Sequence, residues 1–256
     1  MLLAVDAGNT HTVLGLFEGE VMRAHWRVST SVERTADELG IQMLALLRIE
    51  NLDAAAVDGV IVASVVPDLD RVITDAVRRY FGCEARFVGA GVDHGIPILY
   101  DTPADVGADR IVNAVAALAR YGPPVLILDF GTATTLDVVS PRGEYLGGTI
   151  TPGIGVSAEA LFRRAARLRR VDVRRPDRVV GRTTAESIQS GLFYGYVGLV
   201  EGLIRRARAE IGAPDAPVVA TGGLAGVLAG ELPFLREVDP WLTLSGLLIL
   251  WKRGFP

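Results

Sequence analysis

Aspartate and glycine recur with the same spacing at two places in this chain. The segment LLAVDAGNTHTVLGLFEGE carries Asp6 and Gly8. The segment VLILDFGTATTLDVVSPRGEY carries Asp129 and Gly131, almost half of the 256-residue chain further on. Each copy reads as an apolar run, an acid, a glycine, small hydroxyl residues, a second apolar run and a turn. A glycine beside short hydroxyl side chains lets backbone N–H groups approach an anion closely. The adjacent carboxylate can hold a hard cation of the kind that neutralises phosphate. One Asp-x-Gly after a strand is ordinary turn chemistry, because Asp bonds its own backbone and Gly accepts positive φ. Two copies point instead to a nucleotide held in a cleft between two similar domains.

Composition narrows the chemistry further. Lys252 is the only lysine and lies close to the C-terminus; every other basic side chain apart from histidine is arginine. A Walker-type phosphate loop needs a lysine after its glycines, and a protein kinase needs one on a strand, so both are excluded. Schiff-base chemistry is disfavoured for the same reason. Phosphate must be handled by backbone N–H groups, hydroxyls, metal ions and arginine. The net charge of −4 gives no general attraction to nucleic acid or membrane. Cys83 is alone, which rules out an intrachain disulfide and a cysteine metal cluster. The most apolar stretch, WLTLSGLLILW at 241–251, is shorter than the roughly 20 residues a bilayer crossing takes and reads as a buried C-terminal helix. With an N-terminus that enters a strand directly, a soluble, cytoplasmic protein is expected.

The elements that must position these residues follow a repeated plan. Strands are expected at 2–6, 12–17 and 20–28, then a helix from Thr35, a buried strand in GVIVASVVP, a helix after Pro67, a short strand in ARFVG and a helix beginning near Asp105. Gly-Pro-Pro at 122–124 punctuates the chain. Strands follow at 125–129, 134–139 and 144–151, helices at about 155–168 and 184–211, strands in APVVAT and FLREV, and the C-terminal helix. This is a duplicated α/β plan, with an N-terminal domain at 1–120 and a C-terminal one at 121–256. The stretch RRAARLRRVDVRRPDR, from Arg163 to Arg178, reads as a solvated or dimer-interface face in preference to a nucleic-acid patch, because Asp172 and Asp177 interrupt it. Gly191 to Ile204, with Phe193, Tyr194 and Tyr196, is either a dimer surface or a helix buried within one chain.

Six motifs in order, DAGNTHT (6–12), GADRIVNAVAA (107–117), DFGTATTLDVV (129–139), GEYLGGTITPGI (143–154), GLFYGYVGLVEGLI (191–204) and ATGGLA (220–225), together resemble the type III pantothenate kinase family. That family belongs to the superfamily of acetate and sugar kinases, heat-shock 70 and actin. The resemblance covers essentially the whole chain. GADR followed by DFGTATT at this spacing is its most specific part. It implies two ribonuclease-H-like, actin-like ATPase domains with ATP in the cleft between them, and phosphorylation of pantothenate by ATP as the first step toward coenzyme A. It further implies a homodimer, magnesium, and a monovalent cation, potassium or ammonium.

The resemblance also assigns residues. Asp6 holds magnesium, directly or through water. Asp6, Ala7, Gly8, Asn9, Thr10, His11, Thr12 and Val13 form the first ATP-binding segment, with a surface turn as the alternative for His11. Thr132 contacts ATP from the second hairpin. Asp129 holds the monovalent cation, with magnesium coordination as the alternative. Asp109 is the catalytic base; read alone, it is an acid favoured at a helix N-terminus. Tyr100, Gly107, Ala108, Asp109, Arg110 and Thr184 contact pantothenate, Arg110 through the planar fork that suits a carboxylate. Thr184 reads equally as a helix N-cap. Gly222 and Gly223 match the superfamily's adenosine-side glycines, or a plain tight turn. Thr102 stands where the family often has asparagine, which touches only the detail of the substrate loop.

Overall fold

An antiparallel hairpin opens each half of the molecule, and parallel strands extend it. The computed structural model describes residues 1–89, 93–164 and 170–254. Strands β1 (Leu2–Ala7), β2 (His11–Glu18) and β3 (Val21–Ser29) run as a meander. Gly19, at φ 61°, supplies the left-handed residue of the β2–β3 turn. Helix α1 (Ala36–Ile49) starts at a capping box in which Thr35 and Glu38 satisfy each other's backbone. Then come β4 (Gly59–Ser64), α2 (Pro67–Phe81), which opens on a proline, and β5 (Ala85–Val88). Helix α3 (Ala108–Tyr121) begins three residues later than the sequence suggests, because Pro103–Asp105 forms a separate 3₁₀ turn.

The remaining elements are β6 (Val125–Phe130), β7 (Ala133–Val139), β8 (Tyr145–Pro152), α4 (Ile154–Arg164), α5 (Thr184–Glu210), β9 (Val218–Thr221), α6 (Ala225–Leu228), β10 (Leu235–Val238) and α7 (Leu242–Lys252). The expected end of α4 near 168, together with Arg167 and Arg169, lies outside the described residues.

The two five-stranded sheets have one topology. The first is ordered β3-β2-β1-β4-β5 and the second, read in the same sense, β8-β7-β6-β9-β10. In each, the first strand of the unit is central, antiparallel to the second and parallel to the fourth. Asp6 and Asp129 each occupy the next-to-last position of that central strand. The duplicated α/β plan is therefore present strand for strand.

The chain divides into two compact units. One comprises Met1–Ile96, Tyr100–Ala116 and Leu242–Pro256; the other comprises Pro97–Leu99 and Ala117–Trp241. This differs from a single cut after residue 120, because α7 returns to the first unit. Its apolar surface covers one face of the first sheet. A Cβ on Gly15 would meet Leu244 Cδ1 at 2.8 Å, and one on Gly59 would collide with the Trp251 ring. The buried C-terminal helix read from the sequence is thus correct, with Leu242, Leu244, Leu247 and Leu250 almost fully buried. The opposite face of the sheet, carrying Leu3 and Val5, packs on Leu39, Met43 and Leu47 of α1 and Leu69 and Ile73 of α2.

In the second unit, Leu126, Leu128 and Phe130 of β6 pack with Phe193, Tyr196, Val197, Val200 and Ile204 of α5. Phe193 and Tyr196 are therefore buried within the chain, as one of the two readings of that helix required. Among the described residues no helix is long and apolar enough to cross a membrane.

Candidate active site

Strand alternation decides which way the first carboxylate faces. Leu3, Val5 and Ala7 point into the α1–α2 core, so Leu2, Ala4 and Asp6 share the other face. Asp6 is half-buried there, opposite Val13 on β2 and Ala63 on β4. The chain then turns through Gly8, Asn9, Thr10 and His11, and the Gly8 N–H donates to the His11 carbonyl at 3.1 Å. A Cβ on Gly8 would also lie 3.1 Å from that oxygen, which keeps the turn tight. Asn9, Thr10 and His11 are exposed, Val13 is half-buried, and Ala7 and Thr12 are buried.

Asp109 reaches the same end of the sheet. It sits in the first turn of α3, where the helix dipole favours an acid. Its Oδ1 accepts a hydrogen bond from the Arg110 N–H at 2.8 Å. Gly107 makes this possible: a Cβ there would stand 2.6 Å from Asp109 Oδ1 and 3.4 Å from Val65 Cγ1. Val65 in turn donates its N–H to the Ala7 carbonyl at 3.0 Å. Gly107 thus lies close to both Asp109 and Val65, and Val65 is bonded to the residue that follows Asp6. Val65 was not among the residues expected at the site, since an apolar residue after a strand carries no motif.

Burial pushes the Asp109 carboxyl above the ordinary aspartate range; the Arg110 N–H and guanidinium pull the other way and are outweighed. Arg110 is itself buried, 7 % exposed, and so is Ala108, while Tyr100 is half-buried. Such a carboxylate holds a proton more readily than a solvated one.

The second unit repeats the strand-end geometry. Asp129 is half-buried at the end of β6, opposite Thr135 on β7 and Thr221 on β9. Gly131 donates its N–H to the Ala133 carbonyl at 3.0 Å. Exposed Thr132 accepts from the Gly153 N–H at 2.9 Å. Gly222, at φ 91°, packs against Asp129 so closely that a Cβ would lie 2.6 Å from its Oδ1. Gly223 is exposed beside it. Thr184 is the exposed first residue of α5, and the N-cap is Thr183, whose hydroxyl accepts from the Glu186 N–H.

Lysine is absent from the strand ends, as the composition implied. Lys252 pairs with Glu20 in the β2–β3 turn. That turn is at the far end of β2 from the Gly8 hairpin, roughly 25 Å away at the rise of an extended strand. Among the described residues no cluster of three or more His, Cys, Asp or Glu side chains forms a metal cage. Single carboxylates fit magnesium, which commonly keeps water and phosphate oxygens as its other ligands.

Comparison with known proteins agrees with these features. The model of the type III pantothenate kinase family matches residues 2–206. The type III pantothenate kinase of Myxococcus xanthus is 54 % identical over 254 residues, with 99 % of both chains covered. Among solved structures, a Campylobacter jejuni protein named for the Baf family of transcriptional activators matches with a TM-score of 0.64 at 17 % identity, covering 98 % of each chain. A Sinorhizobium meliloti protein named as a 2-dehydro-3-deoxygalactonokinase matches with a TM-score of 0.62 at 14 % identity, covering 100 % of this chain and 97 % of that one. At such identities the structural matches speak to the fold alone.

The raised pKa of Asp109 makes a prediction about stability. The folded state binds the proton more tightly than the unfolded chain, so this group's contribution is fully present below the ordinary aspartate pKa and is lost as pH rises through the raised value. Asp109→Asn removes that loss while keeping an acceptor for the Arg110 N–H. Thermal unfolding at neutral pH should therefore occur at a higher temperature in Asp109→Asn than in the parent, and the two should converge as pH falls toward about 4. A variant less stable than the parent at neutral pH contradicts the assignment of a desolvated carboxylate.

Proposed function

Because the chain belongs to the type III pantothenate kinase family, we propose that it performs the family's reaction with Asp109 as base and the Gly8 hairpin as phosphate holder. The reaction is ATP-dependent phosphorylation of pantothenate to 4'-phosphopantothenate, the first step of coenzyme A biosynthesis. The observation that supports the assignment of roles is the buried Asp109 carboxylate in the first turn of α3, beside Gly107, which lies close to the Val65 that bonds to Ala7.

The pantothenate hydroxyl gives its proton to the Asp109 carboxylate as its oxygen bonds to the γ-phosphorus and the bond to the ADP oxygen breaks. Asp109 is suited to accept because burial raises its proton affinity. Arg110 holds Asp109 in place through its N–H and steadies its charge. Tyr100, Gly107, Ala108 and Thr184 complete the pantothenate contacts. The Gly8 hairpin, residues 7–13, and Thr132 hold the ATP phosphates. Magnesium, held at Asp6, and a monovalent cation, held at Asp129, neutralise phosphate charge when bound. The tight packing of Gly222 on Asp129 fixes the carboxylate that takes the second ion. A homodimer and a cytoplasmic setting complete the reading. Gly191, Gly195, Gly198 and Leu199 lie exposed along the outer side of α5 and supply a surface that a second copy can approach closely.

Two measurements test these roles. Asp109→Asn should lower turnover by on the order of 10²–10⁴ while ATP binding stays nearly intact, because the base touches the acceptor and not the nucleotide. Unchanged turnover would return Asp109 to a helix-terminal role. Activity with magnesium-ATP should be low in sodium or Tris buffer and rise with potassium or ammonium, and Asp129→Ala should lose that response while remaining folded. Equal activity of the parent without either ion would reassign Asp129 to magnesium.

A further inference from the structure

Thr30 lies one residue beyond β3, outside all six motifs. Yet it binds the first hairpin at three points. Its Oγ1 donates to the Gly8 carbonyl at 2.7 Å. Its backbone N–H donates to the Thr10 carbonyl at 3.0 Å. Its Oγ1 also lies 2.9 Å from Thr12 Oγ1. A hydroxyl has one proton. That of Thr30 goes to Gly8, so Thr12 must be the donor in the Thr12–Thr30 pair. Thr12, only 5 % exposed, therefore spends its proton inward.

These bonds set the direction of two peptide groups. In a planar trans peptide the C=O of one residue and the N–H of the next point to opposite sides. Thr30 draws the carbonyls of Gly8 and Thr10 toward itself. The N–H groups of Asn9 and His11 must then point away from Thr30, toward the mouth of the hairpin, where successive N–H groups make an anion-binding concavity.

We propose that Thr30 is a positioning residue for ATP: through Gly8 and Thr10 it aims the Asn9 and His11 N–H groups at the phosphates, and Thr12 is the strut that completes the relay and not itself a phosphate ligand. This rests on the reading of the Gly8 hairpin as the phosphate holder. Thr30 also lines a small pocket with Thr12, Ser29, Ser31, Arg34, Leu69 and Ile73.

The test is steady-state kinetics on Thr30→Val, Thr30→Ser and Asp6→Asn. Loss of one hydrogen bond of ordinary strength corresponds to about a five- to tenfold rise in KM for ATP in Thr30→Val. KM for pantothenate should be unchanged, and Thr30→Ser should restore KM for ATP to within about twofold of the parent. A residue that only supports the fold would lower the melting temperature without moving KM for ATP, and that result overturns the proposal. So does failure of serine to rescue. If Thr30→Val does not fold, Thr12→Val carries the same expectation in weaker form, a rise of at least about twofold, and no rise overturns the proposal. Asp6→Asn separates the two levels. If Asp6→Asn weakens ATP use but Thr30→Val does not, only the role of Thr30 fails. If neither does, the phosphate reading of the hairpin fails with it.

Discussion

The proposed chemistry depends on how closely backbone can approach a carboxylate. A Cβ on Gly107 would stand 2.6 Å from Asp109 Oδ1, and a Cβ on Gly222 would stand 2.6 Å from Asp129 Oδ1. Real side chains do not tolerate such distances, so both acids are held in niches that only glycine leaves open. Burial removes water from Asp109, and that loss of hydration raises its proton affinity. Val65, close to Gly107, bonds to Ala7 at the end of β1.

If ATP is held as proposed, then without lysine near the strand ends its phosphate charge is met by oriented N–H groups and bound ions. Oriented dipoles must be fixed before the nucleotide arrives to be worth much, since reorganising them during reaction would cost what they contribute. The fold supplies that fixity by hydrogen-bonding the carbonyls on the inner side of the first hairpin and by placing each hairpin at the end of a central strand, the least mobile part of a sheet. Helix α7 serves the same end. By covering the sheet face that bears Asp6, and by packing on α3 where Gly246 meets Val112 and Thr243 bonds Asn113 at 2.8 Å, it ties the helix that carries Asp109 to the strand that carries Asp6.

Much of this was legible in the sequence, for identifiable reasons. The repeated succession of strands and helices followed from a repeated Asp-x-Gly with apolar runs on either side, because a strand buried on both faces has few other readings. Asp109 stands out as a candidate only through the company of the other motifs, since an acid in a first helical turn is ordinary. The home of α7 was not legible: a helix apolar nearly all round has no side that points to its partner. The start of α3 was misplaced because Pro103 and Asp105 are as suited to a 3₁₀ turn as to a helix N-terminus. Thr183 took the cap expected of its neighbour, a one-residue difference that two adjacent threonines cannot encode. Thr30 was invisible because its role lies in bonds to backbone atoms on another strand, which leave no spacing to read.

The most direct test of the central claim, that a desolvated Asp109 is the base, is the pH dependence of kcat/KM for pantothenate under saturating magnesium-ATP. The acid limb reports the free enzyme's base. It should lie clearly above the ordinary aspartate pKa of about 3.9 and move further up when Arg110 is replaced by glutamine, because the opposing positive charge is then gone. An acid limb at the ordinary aspartate value, unmoved in Arg110→Gln, would contradict the account and place the base elsewhere.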